Sequence, residues 1–151
     1  MDTVLASLIA VIGTLTGSLG TIHLQQRATR RAVHRHDLQS AGGQLLTALT
    51  AYRAAVYALW TANTTNPDAD NPPTEQITTV RIARAALTAA RDALFLLTTD
   101  TAVRDAVHNA LDATFALGDD QEQDQITTGR PAALAAHHTL LDALAAAIKT
   151  A

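Results

Sequence analysis

The sequence predicts an all-α protein in which an N-terminal transmembrane helix continues into a small antiparallel bundle of three to four helices. Residues 3–26 contain a single ionisable side chain, that of His23, which is typical of a membrane span. Over the rest of the chain, apolar residues recur three and four positions apart, and no stretch alternates as a half-buried strand would. Aromatic residues make up only 3% of the chain, and its abundant alanine and leucine favour closely packed helices.

The charges divide the chain into three segments. The net charge of −3 is unevenly spread, because residues 27–36 hold four arginines and no acid, whereas residues 37–151 hold thirteen acids against seven basic residues. We therefore predict a transmembrane anchor over residues 1–26, a basic collar over residues 27–36 and a cytoplasmic helical bundle over residues 37–151. The absence of cysteine excludes disulfides and thiolate chemistry.

The first segment is long enough to cross a bilayer. Residues 3–26 would extend about 36 Å as a helix, against a hydrocarbon core of about 30 Å. A buried helix of a soluble core is disfavoured because the segment lacks charge on every face. A cleaved signal peptide is disfavoured because Asp2 precedes the apolar run and the arginines follow it. Since positive charge beside a span remains cytoplasmic, we expect a single-pass protein of the cell membrane with its N-terminus outside.

Small residues recur along the predicted span. Ala6, Ala10, Gly13 and Gly17 share one helical face, and the Gly13-x-x-x-Gly17 spacing allows two helix backbones to approach closely. One interpretation is a homo-oligomer packed through this face. The other is that glycine and alanine are simply common in membrane helices. Both interpretations stay open.

The collar places its arginines on one face of a helix. Arg27, Arg30, Arg31 and Arg35 follow the spacing of three and four that aligns side chains along a helix. Such a stripe beside the inner leaflet attracts anionic lipid headgroups, by about 1 kcal/mol per arginine. Nucleic acid is the alternative partner, but the stripe is short, lacks interleaved aromatic residues and precedes an acidic domain. Membrane lipid is therefore the predicted partner, and no nucleic acid is expected.

The first bundle helix continues from the anchor and ends near Ala62. Gly42 and Gly43 interrupt its apolar period at a cost of about 1 kcal/mol each relative to alanine, so the helix could kink or break there. Residues 63–73 contain three prolines and form a loop. A second helix is expected to begin near Thr74, with an acid in its first turn.

Capping residues and glycine define the last two helices. Thr99 or Asp100 is expected to cap a third helix, and Gly118 to stop it. Residues 119–129 are acidic and form a second loop. Pro131 is then placed at the first position of the last helix, where proline is preferred.

One row of polar residues suggests metal chemistry. Asp105, His108 and Asp112 share a helix face, and bundle metal sites are built from such carboxylate and imidazole groups. Those sites draw their ligands from several helices, however, and the sequence offers no second unit of this kind. We therefore interpret the row as a solvated face and expect no metal, no cofactor and no catalytic residues.

Two other groups leave alternatives open. Arg81, Arg84 and Arg91 cluster on one side of the second helix, where they could bind a phosphate-bearing ligand or form ion pairs with acids of the bundle. Tyr52, Tyr57 and Trp60, near the end of the first helix, could dock a partner or fill the core, and in a chain so poor in aromatic residues filling the core is favoured.

Several features together resemble a known family. They are the span VLASLIAVIGTLTGS from Val4 to Ser18, the arginine-rich collar, Ala51-Tyr52 followed by Trp60, and LLTTD from Leu96 to Asp100. The chain resembles the small actinobacterial membrane proteins labelled KilB-like, whose name associates them with the spread of conjugative plasmids through mycelium. The adjacent pair Gly42-Gly43 departs from the family's expected rigid stalk.

The sequence favours a non-catalytic, membrane-anchored interaction or scaffold protein. We expect it to self-associate and to engage an unidentified protein partner, and the resemblance implies a link to plasmid spread. A ligand-sensing or regulatory bundle at the membrane is the first alternative. A metal-binding bundle enzyme is the second, and it requires the row of Asp105, His108 and Asp112 to face inward.

Overall fold

Four α-helices form the described part of the chain, with no strand among them. The computed structural model describes residues 2–65, 74–117 and 123–151, and within them the side chains of residues 26, 29–65, 74–117 and 129–151. The helices are α1 (Asp2–Thr65), α2 (Thr74–Leu97), α3 (Thr101–Phe115) and α4 (Gln123–Thr150). The predicted all-α class is therefore confirmed.

Residue contacts divide the chain into the units Met1–His36 and Asp37–Ala151. The first unit is helical from Asp2 onward. The predicted span and the face formed by Ala6, Ala10, Gly13 and Gly17 lie outside the residues whose side chains are described, so both stay predictions.

Antiparallel packing of α1 and α4 follows from two contacts in the second unit. Gly42, early in the bundle portion of α1, lies against Leu144, late in α4. Farther along α1, the Arg53 side chain reaches the backbone carbonyl of Ala133, near the start of the described part of α4. The order of contacts reverses between the two helices, so they run in opposite directions.

The α2 and α3 helices form an antiparallel pair through the short connection Thr98–Asp100. Arg84, in the middle of α2, stacks over Phe115 at the end of α3, while Phe95 near the end of α2 contacts Arg104 early in α3. The Asp100 side chain accepts a hydrogen bond of 2.9 Å from the Ala102 amide, which confirms it as the N-cap of α3.

The core is built almost entirely from aliphatic side chains of all four helices. Tyr52 is its buried aromatic residue and meets the Phe115 ring edge-on, with centroids 5.4 Å apart. No described buried side-chain oxygen or nitrogen lacks a hydrogen-bond partner. The most deeply buried aliphatic side chains are Leu38, Leu45 and Leu49 of α1, Leu87 and Leu94 of α2, Val103 and Val107 of α3, and Leu140 of α4.

The Gly42-Gly43 pair does not break α1, which passes through it as one helix and ends at Thr65 rather than Ala62. Gly42 is buried, and the side chain of Leu144 fills the space that a larger residue would occupy. Packing against α4 therefore offsets the low helix propensity of this glycine.

The predicted start of the last helix is wrong. Helix α4 begins at Gln123, and Pro131 lies inside it rather than at its first position. A Cβ atom at Gly129 would lie only 2.9 Å from Leu117 Cδ2, so Leu117, in the turn that follows α3, packs directly on the turn before the proline. This long-range contact supports helical residues that local propensity would assign to a loop.

One described stretch, Gly129–Thr150, is long enough and apolar enough to cross a membrane by length and composition alone, with a mean hydropathy of 1.2. Core helices of soluble proteins meet the same criterion. In this bundle Leu140 and Leu144 of the stretch are buried in the core.

Candidate functional site

A cleft between α1 and α4 combines apolar walls with two arginines. We call it the α1–α4 cleft. Its volume is about 340 Å³, at the small end of the range of about 300–1,000 Å³ typical of ligand pockets. The residues that define it are Thr50, Arg53, Ala54, Val56 and Tyr57 of α1, Leu117 of the turn after α3, and Arg130 and Leu134 of α4.

Helical spacing brings these side chains to one opening. Arg53 and Tyr57 are four residues apart on α1, and Arg130 and Leu134 are four apart on α4, so each pair projects from a single helix face. Val56 is buried beneath them, whereas Tyr57 is 53% exposed and Leu134 is 41% exposed. The cleft therefore has an apolar floor and an open apolar rim.

The Arg53 guanidinium donates hydrogen bonds to three neutral acceptors, one on α1 and two on α4. Its Nη1 donates to the Ala133 carbonyl oxygen at 3.4 Å, and its Nη2 donates to Thr50 Oγ1 at 3.3 Å and lies 3.2 Å from His137 Nδ1. Burial lowers the pKa of Arg53, but a guanidinium remains protonated in proteins. It is therefore always the donor in these contacts.

His137 must accept the hydrogen bond from Arg53 at Nδ1. The imidazole is then neutral, with its proton on Nε2, since a protonated ring would present donors at both nitrogens. Burial lowers the pKa of His137, and the positive charges of Arg53 and His138 lower it further. Geometry and electrostatics thus favour the same neutral tautomer.

Neither arginine of the cleft has an acidic partner among the side chains that the structure describes. Within residues whose side chains are described, the ion pair is that of Arg91 with Asp92, at 2.7 Å. Arg53 and Arg130 have no carboxylate at ion-pair distance in that part of the chain. Among the described side chains, the cleft therefore presents two positive charges and no carboxylate.

The three arginines of the predicted cluster, Arg81, Arg84 and Arg91, have different surroundings in the structure. The Arg84 guanidinium stacks 4.8 Å above the centre of the Phe115 ring. Arg91 donates to Asp92 Oδ1 from Nε and Nη2. Arg81 is exposed. One of the three thus forms the ion pair that the sequence suggested, and a second has an aromatic partner instead.

The row of Asp105, His108 and Asp112 faces solvent rather than the core, since all three residues are exposed. The His108 ring lies against Phe95, with centroids 5.5 Å apart. Among the described residues, no group of three or more histidine, aspartate or glutamate side chains is placed to hold a metal ion. The metalloenzyme alternative required this row to face inward, and the row does not.

The described collar arginines are accessible. Arg30, Arg31 and Arg35 are exposed, and the side chain of Arg27 lies outside the described residues. Exposure is required for contact with lipid headgroups, and the contact itself stays a prediction.

Sequence reasoning missed the central residues of the cleft. Arg53 and His137 are 84 positions apart, and no local pattern links them. The sequence signal nearest to the cleft was the aromatic pair Tyr57 and Trp60 near the end of α1. In the structure their ring centroids lie 5.5 Å apart. Tyr57 proves to be a rim residue rather than a core residue.

Comparison with known proteins gives one family. A family model described as KilB plasmid transfer protein matches residues 39–148, most of the chain. The match includes every residue that defines the α1–α4 cleft, and it begins after the collar. Neither a curated protein nor a solved structure matches the chain.

Proposed function

The chain belongs to the KilB plasmid transfer protein family, and we propose that it serves plasmid transfer as a non-catalytic, membrane-anchored interaction protein. The family match supports a role related to plasmid transfer. Anchoring in the cell membrane, self-association and engagement of a protein partner are the further content of the proposal.

The observation that carries the anchoring proposal is the continuity of α1 from Asp2 to Thr65. This helix contains the uncharged residues 3–22, the collar arginines and the first helix of the bundle. A helix satisfies its own backbone hydrogen bonds, so a chain can leave a bilayer in this form without unpaired polar groups. The basic collar favours a cytoplasmic bundle and an external N-terminus.

Labelling of introduced cysteines tests the anchor and its orientation without interference, because the chain has no cysteine of its own. We expect a membrane-impermeant maleimide to label Thr3→Cys in intact cells. Thr99→Cys, at an exposed position of the α2–α3 connection, should react only after lysis. Full labelling of Thr99→Cys in intact cells would indicate the opposite orientation, with the bundle outside. Recovery of the chain in the soluble fraction without detergent would contradict the proposed membrane anchor.

Self-association through the predicted small-residue face has its own test. Gly13→Ile with Gly17→Ile should lower the signal of a membrane dimerisation reporter severalfold, because bulky side chains prevent close backbone approach. Thr14→Ile with Ser18→Ile is the matched control on a different helix face. Equal loss in both double variants would contradict the assigned face.

A role without catalysis is supported by the kind of side chains that the described cleft presents. They are two arginines, the hydroxyl-bearing Thr50 and Tyr57, and apolar residues, a combination suited to binding. Ligand sensing is the second candidate function, and the observation that favours it is the absence of an acidic partner for Arg53 and Arg130 in the described residues.

A further inference from the structure

We propose that the α1–α4 cleft binds a small amphipathic anion, with Arg53 and Arg130 holding its carboxylate or phosphate head and the apolar walls enclosing its hydrocarbon part. This inference rests on the ligand-sensing candidate and is independent of how the chain meets a membrane.

The first support is the way Arg53 is fixed. The three acceptors that surround its guanidinium are a carbonyl, a hydroxyl and a neutral imidazole. They set the orientation of the guanidinium but supply no negative charge. A half-buried cation without a counterion is costly, and a fixed planar fork is suited to a carboxylate or phosphate. An incoming anion would supply a negative charge that none of the described side chains provides, at little ordering cost.

Arg130, which lines the same cleft, supplies a second positive charge from α4. It is exposed and has no hydrogen-bond or ion-pair partner among the described residues. Two cations that line one cleft repel each other, and a bound anion adds an attraction to each of them that offsets this repulsion. The charge pattern therefore selects an anionic head.

The apolar part of the ligand is indicated by the walls. Tyr57 and Leu134 leave large apolar surfaces open at the rim, and Val56 and Leu117 are buried behind them. Covering such surface is favourable. A volume of about 340 Å³ suits a small molecule with a short chain. The ligand class is thus a monoanionic or dianionic head on a compact hydrocarbon body.

Short soluble probes test the proposal with the full chain, in phosphatidylcholine nanodiscs or, if the chain is recovered without detergent, in buffer alone. The probes are hexanoate, hexyl phosphate, uncharged hexanol and inorganic phosphate, measured by calorimetry against empty nanodiscs. Trp60, the one tryptophan of the chain, lies beside Tyr57 and gives a second readout by fluorescence. We expect hexanoate or hexyl phosphate to bind about tenfold or more tightly than hexanol and inorganic phosphate.

Matched variants assign the binding to the cleft. Arg130→Gln, at an exposed position, should weaken binding of the charged probes about tenfold, and Arg53→Gln at least as much. Arg81→Gln, an exposed arginine of α2, should leave it unchanged. If Arg53→Gln loses the helical circular dichroism signal, Arg53→Lys takes its place. Lysine keeps the positive charge but lacks the planar fork, so weaker binding of the charged probes is expected from the loss of the fork geometry alone.

The outcomes separate the sources of the anion. If nanodiscs that contain phosphatidylglycerol compete with hexyl phosphate, the anionic head comes from a membrane lipid; if they do not, it comes from a free small molecule. Equal binding of hexanol and hexanoate, equal binding by wild type and Arg130→Gln, or no binding of any charged probe would overturn the proposal. None of these results depends on the cysteine labelling that tests the anchor.

Discussion

Gly42 of α1 lies directly against Leu144 of α4. A Cβ atom built on Gly42 would lie 3.2 Å from both Cδ atoms of Leu144, whereas a Cβ atom on the next residue, Gly43, would meet nothing within 4 Å. The two glycines therefore have different structural environments. Gly42 permits close approach of two helices, and Gly43 faces solvent.

Substitution of the two glycines should give opposite results. Gly43→Ala is expected to raise the free energy of unfolding by about 0.5–1 kcal/mol, because alanine is the better helix former and disturbs no neighbour. Gly42→Ile is expected to lower it by about 1–3 kcal/mol through overpacking against Leu144. Urea unfolding followed by circular dichroism measures both. A Gly42→Ile variant as stable as wild type would argue against the close approach.

Two adjacent leucines of α4 provide a matched test of the core. Leu140 is fully buried and Leu141 is 48% exposed. Leu140→Ala should lower the free energy of unfolding by about 2–5 kcal/mol through lost burial and a cavity, while Leu141→Ala should change it by about 0.5 kcal/mol or less. Comparable losses in both variants would show that Leu141 is covered in the assembled protein.

Arg104 connects α3 to the end of α2. Its Nη2 donates to the Phe95 carbonyl at 3.1 Å, its Nε donates to the Thr98 carbonyl at 3.2 Å, and its Cζ lies 5.0 Å from the centre of the Phe95 ring. These bonds satisfy carbonyls that the end of a helix leaves without partners.

Arg104→Lys should therefore lower the free energy of unfolding by about 1–2 kcal/mol, because lysine keeps the charge but loses the planar fork. The control is Arg91→Lys, whose pair with Asp92 is exposed and should contribute less than about 1 kcal/mol. Thermal unfolding compares the two variants. An Arg104→Lys loss no larger than that of the control would contradict the proposed capping role.

His137 gives the bundle a pH dependence of defined sign. Burial, Arg53 and His138 lower its pKa in the folded state, below the value of about 6.5 expected in the unfolded chain. The unfolded state thus takes up a proton more readily. Stability is complete above the unfolded pKa and declines as the pH falls through the window down to the folded pKa.

His137→Gln should flatten this decline, because glutamine can accept from Arg53 without titrating. The measurement is the difference in urea midpoint between pH 8 and pH 5. His36→Gln, at an exposed position of α1, should keep the wild-type difference. Parallel profiles for wild type and His137→Gln would show that this imidazole is not the group responsible.

The sequence by itself determined the features that depend on neighbouring residues. Apolar spacing indicated the helical class, the proline-rich stretch before Thr74 separated α1 from α2, and the Asp100 cap placed the start of α3. Each of these depends on groups within a few positions of one another, and such groups interact in the same way wherever the segment lies in the fold. The division between a basic collar and an acidic bundle was also readable from order alone.

Only the tertiary structure decided where distant residues meet. Helix α1 continues through Gly42, against which Leu144 packs. Helix α4 begins at Gln123, although the sequence suggested a start at Pro131. The tertiary structure also joined Arg53 to His137. Local propensities differ by about 1 kcal/mol per residue, less than the several kcal/mol that core packing contributes at a buried leucine. Long-range contacts therefore overrule local preference wherever the two conflict.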